Sequence, residues 1–374
     1  MTALQEGKAT FWVNGAFYRP QSKIARDLAV LMAVVQRQRQ GKLRVLDAMS
    51  GCGVRSLRYA LEAQVDWVWA NEANPDLAQT LAQNLAALPA NTYRMTCQDA
   101  NQAFFACAQT QDFYDLVDID NFGGPSPYAS IGMWATRLGG LLYLTSTDGR
   151  STGGHDPDRS LRIYPAYARS HPAVHEQGLR LLIGHAVQQA ASRGLGIEPV
   201  FALFTGQVHR AMVRLVPKPT LTPRNYGLIA YCHRCGHFQT VDWRRLGRVD
   251  CPGCEGQGSN QDSQIVISGP LWLGALHDGA ALDAMAGLAI NRGWAAPTRL
   301  LQVMREESEL PPYYYSLGEI GRRGQMDIPN RDRLITALQE RGYRATVTHV
   351  DWQGLKTNAA FRECLAVARK IAST

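Results

Sequence analysis

Leu43-Arg44-Val45-Leu46-Asp47-Ala48-Met49-Ser50-Gly51-Cys52-Gly53-Val54-Arg55 is the stretch from which the rest of the chain is read. A short apolar run closes on Asp47, glycines follow at Gly51 and Gly53, and a helical pattern over 56–62 begins at once. That order is the first strand, turn and helix of a doubly wound sheet, in which ligands settle outside the carboxyl ends of the strands. Glycine at such a turn lets the backbone pass close to a ligand. The phosphate-cradling form of the turn is G-x-G-x-x-G, and here Ser56 holds the third position, so the dinucleotide fingerprint is incomplete.

Working outward, a second apolar strand over 65–71 closes on Glu72, and Pro75 can open a helix over 75–88 from its first turn. A third strand over 92–97 leads into Gln98-Asp99-Ala100. A fourth over 114–119 runs into Asp120-Asn121-Phe122-Gly123-Gly124-Pro125, and a fifth over 140–147 ends at Asp148. Strands and helices alternating in this way imply a parallel sheet covered on both faces. A helix over 174–193 and strands over 199–204 and 209–215 complete it. Upstream, Phe11, Trp12, Val13, Phe17 and Tyr18 around Asn14-Gly15 read as a hairpin or an extended arm. Residues 24–37 have helical periodicity, ended by Gly41. The polar, glycine-rich run 149–157 reads as a mobile loop beside the site.

At 374 residues the chain has room for two domains. Pro217, Pro219 and Pro223 punctuate it, which divides it into 1–220 and an α+β domain over 221–374. In the second domain, short strands surround two cysteine pairs over 225–270. Helices follow over 278–290, 298–309 and 329–341, with a last strand over 343–349. No apolar run approaches the roughly 18 residues that span a bilayer, and the first ten residues lack the apolar core of a secretory signal. The expected product is cytoplasmic, with no membrane association and no obligate protein partner evident. The net charge of +7 is spread over both halves and suits a polyanion that touches both.

Each acidic residue stands at the end of a strand, where an adenosyl ligand would cross the sheet edge. Asp47 is expected at the amino-acid end of such a ligand, Glu72 at its ribose, and Asp99 with the backbone of Ala100 at its adenine. Carboxylates suit hydroxyls and a cationic amine, whereas a pyrophosphate prefers bare amides at a helix start. S-adenosylmethionine meets that donor set better than a nicotinamide dinucleotide. Asp120 follows the fourth strand, where a methyl acceptor would be held. An exocyclic amine is a poor nucleophile because its lone pair is delocalised into the ring, and a carboxylate that accepts its protons localises that pair. Phe122 offers a flat face to an extruded base, with Asn121 beside it.

Cys232-His233-Arg234-Cys235, then 15 residues, then Cys251-Pro252-Gly253-Cys254 has the spacing of a zinc site. Four thiolates at Cys232, Cys235, Cys251 and Cys254 close a tetrahedral shell, so the metal is expected to be structural. Cys52, Cys97, Cys107 and Cys364 stand apart and carry no assigned chemistry.

These pieces, in this order, resemble the tRNA (guanine-26 N2)-dimethyltransferases, a class I methyltransferase family. The likeness rests on Phe17-Tyr18-Arg19-Pro20 with Ala25-Arg26-Asp27-Leu28, on the glycine turn through Tyr59, and on Val117-Asp118-Ile119-Asp120-Asn121-Phe122-Gly123. It continues through 140–148, Glu176-Gln177-Gly178-Leu179-Arg180, the cysteine pairs, 269–274, Pro312-Tyr313-Tyr314-Tyr315, Thr348-His349 and Lys356-Thr357.

The resemblance implies an α/β fold: a Rossmann-like methyltransferase sheet with a C-terminal α+β domain that contains a zinc ribbon and grips tRNA. It implies cofactor contacts from Arg26 and Arg55, together with Gly51, Gly53, Glu72, Asp99 and Ala100, and catalysis by Asp120. The chain departs from the family pattern in four places. Asn121 replaces a proline, Arg19 and Ala25 stand where asparagines are usual, and no His-Tyr pair is found around Gly206-Gln207-Val208. A competing reading from another class is a zinc-ribbon tRNA-binding protein or chaperone whose methyltransferase domain is inactive. A nicotinamide oxidoreductase is disfavoured by the missing third glycine.

Overall fold

The computed structural model describes residues 3–254 and 264–372. The chain divides into two compact units that exchange segments along the sequence. One is built from residues 1–147, 186–220 and 278–301, the other from 148–185, 221–277 and 302–374. A division at 220/221 therefore coincides with one border. Residues 148–185 and 278–301 each belong to the unit on the other side of that cut.

The first unit opens with a hairpin of β1 (Leu4–Glu6) and β2 (Ala9–Phe11). Its turn lies at Gly7, at φ +59° and packed against the Glu62 carboxylate. The aromatic stretch that follows is an irregular arm leading into α1 (Lys23–Gln40). A left-handed Gly41 ends that helix, donating its N–H to the Arg37 carbonyl.

Alternation then sets in: β3 (Arg44–Asp47), α2 (Val54–Glu62), β4 (Trp67–Asn71), α3 (Ala78–Leu85), β5 (Tyr93–Thr96), α4 (Ala100–Thr110), β6 (Tyr114–Ile119), α5 (Ser126–Ala135) and β7 (Thr136–Ser146). The strands β8 (Gly196–Thr205) and β9 (Val208–Val216) close a seven-stranded sheet in the order β5-β4-β3-β6-β7-β9-β8. The first five strands pair in parallel, and β9 adds antiparallel to β7 and β8. The central strands are buried on both faces, β6 throughout despite its Asp115 and Asp118, as a sheet covered on two sides requires. The order reverses between β3 and β6, which opens a crevice at their carboxyl ends. The helix Gly279–Asn291 packs on α1, and Trp294 just beyond it lies over the guanidinium of the fully buried Arg58.

The second unit holds a three-stranded antiparallel sheet centred on Tyr226–Cys232, flanked by Phe238–Val241 and Ile265–Trp272. Residues 255–263, inside the stretch expected as short strands around the cysteines, lie outside the described residues. A smaller sheet joins Tyr315–Ser316, Gly354–Thr357 and Ala345–Val347 and carries the helices Leu317–Gly324, Arg331–Gln339 and Phe361–Ala372. The run expected as a loop over 149–157 instead contributes a helical turn, Gly149–Thr152, and the start of the helix Pro157–Ile163. Asp148 and Asp156 cap these segments by accepting from the N–H groups of Ser151 and Arg159. No helix among the described residues is long and apolar enough to cross a membrane.

Candidate active site

A cavity of about 550 Å³ lies at the carboxyl ends of the central strands of the first unit. Of the residues singled out in its sequence, Arg26, Gly51, Arg55, Glu72, Asp99, Ala100, Asp120, Asn121 and Phe122 all line it. Gly51 turns the chain at φ +55°, with open space where a side chain would stand. Glu72 clamps that turn: one carboxylate oxygen accepts from the Gly51 N–H at 2.8 Å and the other from the Asn74 N–H at 2.9 Å. Asp99 caps α4, accepting from the Asn101 N–H at 2.8 Å. Ala100 is the first residue of that helix, so its own N–H has no intrahelical acceptor.

Asp47 and Gly53 do not reach the wall. Asp47 is fully buried and accepts from the Ser56 hydroxyl at 2.6 Å, which ties the end of β3 to the start of α2. Burial and then the charge of Asp118 push its pKa up. Asp47, expected at the amino-acid end of a ligand, lies behind the cavity wall rather than on it. Gly53 sits at φ +81°, and a Cβ there would lie 2.7 Å from a Leu81 methyl, so its absence of a side chain serves the packing of α2 on α3.

Arg26, buried in α1, donates its Nε to Glu6 at 2.7 Å and Nη2 to the Arg19 carbonyl at 3.2 Å. Glu6 also accepts hydrogen bonds from the Tyr18 hydroxyl at 2.8 Å and from Arg58 Nη1 at 2.9 Å. Burial alone would raise the Glu6 pKa, but Arg26, Tyr18 and Arg58 outweigh it and hold the carboxyl at about 2. Through this carboxylate the N-terminal hairpin fixes the arm and the Arg26 side chain at the cavity.

On the other side of the crevice Arg55 forks between two acids. Its Nε and Nη2 donate to one oxygen of Asp120 at 3.0 and 2.8 Å, and its Nη1 donates to Asp118 at 3.1 Å. Asp118 is fully buried and also accepts from the Tyr59 hydroxyl at 2.7 Å. The Asp120 side chain is 29% exposed at the cavity. Its partial burial favours the neutral form, yet the charges of Arg55 and Arg210 prevail and hold its pKa at about 2. It is therefore an anion with an accepting edge toward the cavity.

Asn121 donates from its amide to the carbonyls of Phe122 and Gly124, both at 3.0 Å. These bonds restrain the turn where the family pattern has a proline. Phe122 is 72% exposed, Phe17 of the arm is 66% exposed, and their rings meet edge to face at 5.1 Å. Two large aromatics left in water and in contact with each other are placed for a flat apolar ligand.

Sequence reasoning singled out Phe122 but not Phe17, whose signal was an aromatic outside any helical or strand period. It also passed over Glu6, Asp118 and Arg210, for which sequence gave no signal: their roles arise only from partners distant along the chain.

In the second unit the four cysteines converge. The Cys232 and Cys254 sulfurs are 3.8 Å apart, Cys235 and Cys251 3.3 Å, and all four lie within 4.8 Å of one another. Zinc–sulfur bonds of about 2.3 Å put tetrahedral ligands about 3.8 Å apart, so the cluster fits a metal. Cys52, Cys107 and Cys364 are buried and Cys97 is exposed. His277, Glu307 and His349 also converge. Burial opposes the Glu307 charge, but His349, His277 and Lys356 hold it ionised, so this carboxylate is balanced by protein groups.

Residues 3–369 match the family model described as N2,N2-dimethylguanosine tRNA methyltransferase. The tRNA (guanine(26)-N(2))-dimethyltransferase of Aeropyrum pernix is 28% identical, over 97% of this chain and 91% of that protein. The tRNA (guanine(26)-N(2)/guanine(27)-N(2))-dimethyltransferase of Aquifex aeolicus is 28% identical, over 93% of this chain and 88% of that one. Among solved structures, the complex of Trm1 from Pyrococcus horikoshii with S-adenosyl-L-methionine superposes with a TM-score of 0.85 at 26% identity, covering 98% of this chain and 99% of that one. With the family model matched over nearly its whole length and this sheet, crevice and acid-lined cavity beneath it, the chain belongs to the N2,N2-dimethylguanosine tRNA methyltransferase family.

Proposed function

We propose that the chain transfers one or two methyl groups from S-adenosylmethionine to N2 of guanosine 26 in tRNA. The observation that carries this reading is the ionised Asp120 on the cavity wall beside the exposed Phe17–Phe122 pair. On the cofactor side, Glu72 still has lone pairs for ribose hydroxyls, and Asp99 with the Ala100 N–H offers an acceptor and a donor to an adenine edge. Arg26 and Arg55, with the Gly51 turn, complete that half. When bound there, S-adenosylmethionine supplies an electrophilic methyl group. An extruded guanine stacks on the exposed surface of the Phe17–Phe122 pair, and stacking of this kind contributes about 1 to 3 kcal/mol per base.

Asp120 then accepts hydrogens of the N2 amine and localises its lone pair. As the new C–N bond forms and the methyl–sulfur bond breaks, with S-adenosylhomocysteine as the leaving group, the nitrogen would become cationic and strongly acidic, so even a carboxylate with a pKa of about 2 can take its proton. A second transfer requires the methylated amine to turn and present its remaining hydrogen to the same carboxylate. Cys232, Cys235, Cys251 and Cys254 are proposed to hold a structural zinc, in a second unit that grips the tRNA body. Reduced thiolates of this kind suit the cytoplasm. The bonds of Asn121 keep the catalytic turn formed, which favours an active enzyme over an inactive tRNA-binding relative.

The test is incubation of the protein with methyl-labelled cofactor and unmodified tRNA, followed by nucleoside analysis. Label is expected in N2-methyl- and N2,N2-dimethylguanosine, falling about 10²- to 10⁴-fold in Asp120→Asn while S-adenosylhomocysteine still binds. Absence of label in guanosine from the folded wild type would refute the proposal.

A further inference from the structure

Arg210, on the cavity wall, is a charged side chain held almost wholly out of solvent. It is 3% exposed, and only its Nη2 reaches a side chain, the Ser22 hydroxyl at 3.3 Å. Its Nε and Nη1 are buried and have no hydrogen-bond partner among the described residues. Leaving two guanidinium donors dry and unpaired is costly, and at the wall of a cavity a ligand is placed to satisfy them.

The position of Arg210 says which ligand. The Gly206-Gln207 hairpin, at φ +58° and +64°, turns β8 into β9. With side chains alternating along a strand, Val208 and Arg210 share one face, and both line the cavity. Arg210 pairs in register with Thr145 of β7, itself a wall residue. The sheet order sets the ends of β3, β4 and β5, with Gly51, Glu72 and Asp99, on one side of β6. Arg210 lies on the opposite side, two strands beyond β6, close enough for its charge to act on Asp120.

We infer that Arg210 determines base specificity by donating to O6 of the target guanine while Asp120 accepts from N2 and N1. This rests on the function proposed above and deepens it. The Watson–Crick edge of guanine presents two donors and then an acceptor, and an acid followed by a guanidinium matches that order. Adenine presents an acceptor at N1 and an amine at C6, so it would set an acceptor against Asp120 and donors against Arg210. A site whose buried polar groups are left unpaired by the wrong base discriminates strongly.

The experiment compares tRNA carrying guanosine or 6-thioguanosine at the target position. The sulfur analogue keeps N1–H and the N2 amine and replaces O6 by a weak acceptor. Wild type is expected to lose about 10- to 100-fold in kcat/KM on the thio substrate. Arg210→Gln is expected to lose a similar factor on guanosine and to treat the two substrates alike, with S-adenosylhomocysteine affinity unchanged. Arg210→Lys should recover part of the discrimination.

Equal wild-type rates on both substrates would overturn the inference, and this arm needs no variant to fold. So would an Arg210→Gln enzyme that still prefers oxygen by the wild-type ratio, or one whose main defect is weak S-adenosylhomocysteine binding, which would make Arg210 a cofactor residue. Any of these can occur with N2 methylation intact, whereas loss of methylation in wild type defeats the function itself.

Discussion

The pairing of Arg55 with Asp120 decides what the carboxylate can do. Two guanidinium bonds on one oxygen leave Asp120 ionised and oriented, its other oxygen available to an amine. The same pairing makes it a weak base, which suits a reaction whose proton leaves only after the nitrogen has become cationic. In Arg55→Gln the largest opposing charge is gone, burial dominates, and the Asp120 pKa should rise from about 2 into or above the ordinary carboxylate range. Wild-type kcat, measured with saturating cofactor, should show no acid limb from Asp120 down to about pH 4, while the variant should lose activity as pH falls through its raised pKa. An unchanged profile would count against Asp120 as the titrating group. Asn121 makes the complementary point: at a position where sequence comparison shows only a lost proline, its amide bonds to two carbonyls supply the restraint by other means.

At the scale of elements, the glycine turn, the acids closing β4 and β5, and the strand–helix alternation were all legible in the sequence, because each is a local pattern with a fixed period or spacing. Of the two readings of the Asn14-Gly15 stretch, hairpin or extended arm, the arm is the one the structure has, and the hairpin lies upstream at Gly7. Gly7 is packed there against the Glu62 carboxylate, 55 residues away in sequence. Asp47 was read correctly as the end of a strand, whereas its bond to the Ser56 hydroxyl is visible only in the fold. The cysteine cluster was legible from spacing alone. Purified protein is expected to carry about one zinc per chain by metal analysis. Chelation should lower the thermal midpoint, because binding energy at such a site is folding energy. Metal-free protein with an unaltered midpoint would show that the thiols need no ion.

For the molecule as a whole, the fold class followed from the first half of the chain, but the composition of its two units did not. Periodicity marks where helices are, and it carries no information about which sheet a late helix will cover. Burial also sets an acid limit on stability. His171 and His185 lie deep in the second unit, and loss of hydration lowers each to about 4. Unfolded histidines titrate near 6.5. Their contribution is therefore full above that value and is lost as pH falls from about 6.5 to 4, on the order of 3 kcal/mol each. The ring nitrogens of His185 meet no partner among the described residues, so His185→Phe should flatten this part of the urea-midpoint profile. A profile no flatter than wild type would contradict the assignment.

The exchange of segments between the units also bears on how the protein is made. A ribosome delivers the seven strands of the central sheet by residue 216, yet Gly279–Asn291 and Trp294, which cover α1 and Arg58, emerge only afterwards. Until then the nascent methyltransferase half has an uncovered flank, and its completion waits on translation of most of a segment that belongs to its neighbour.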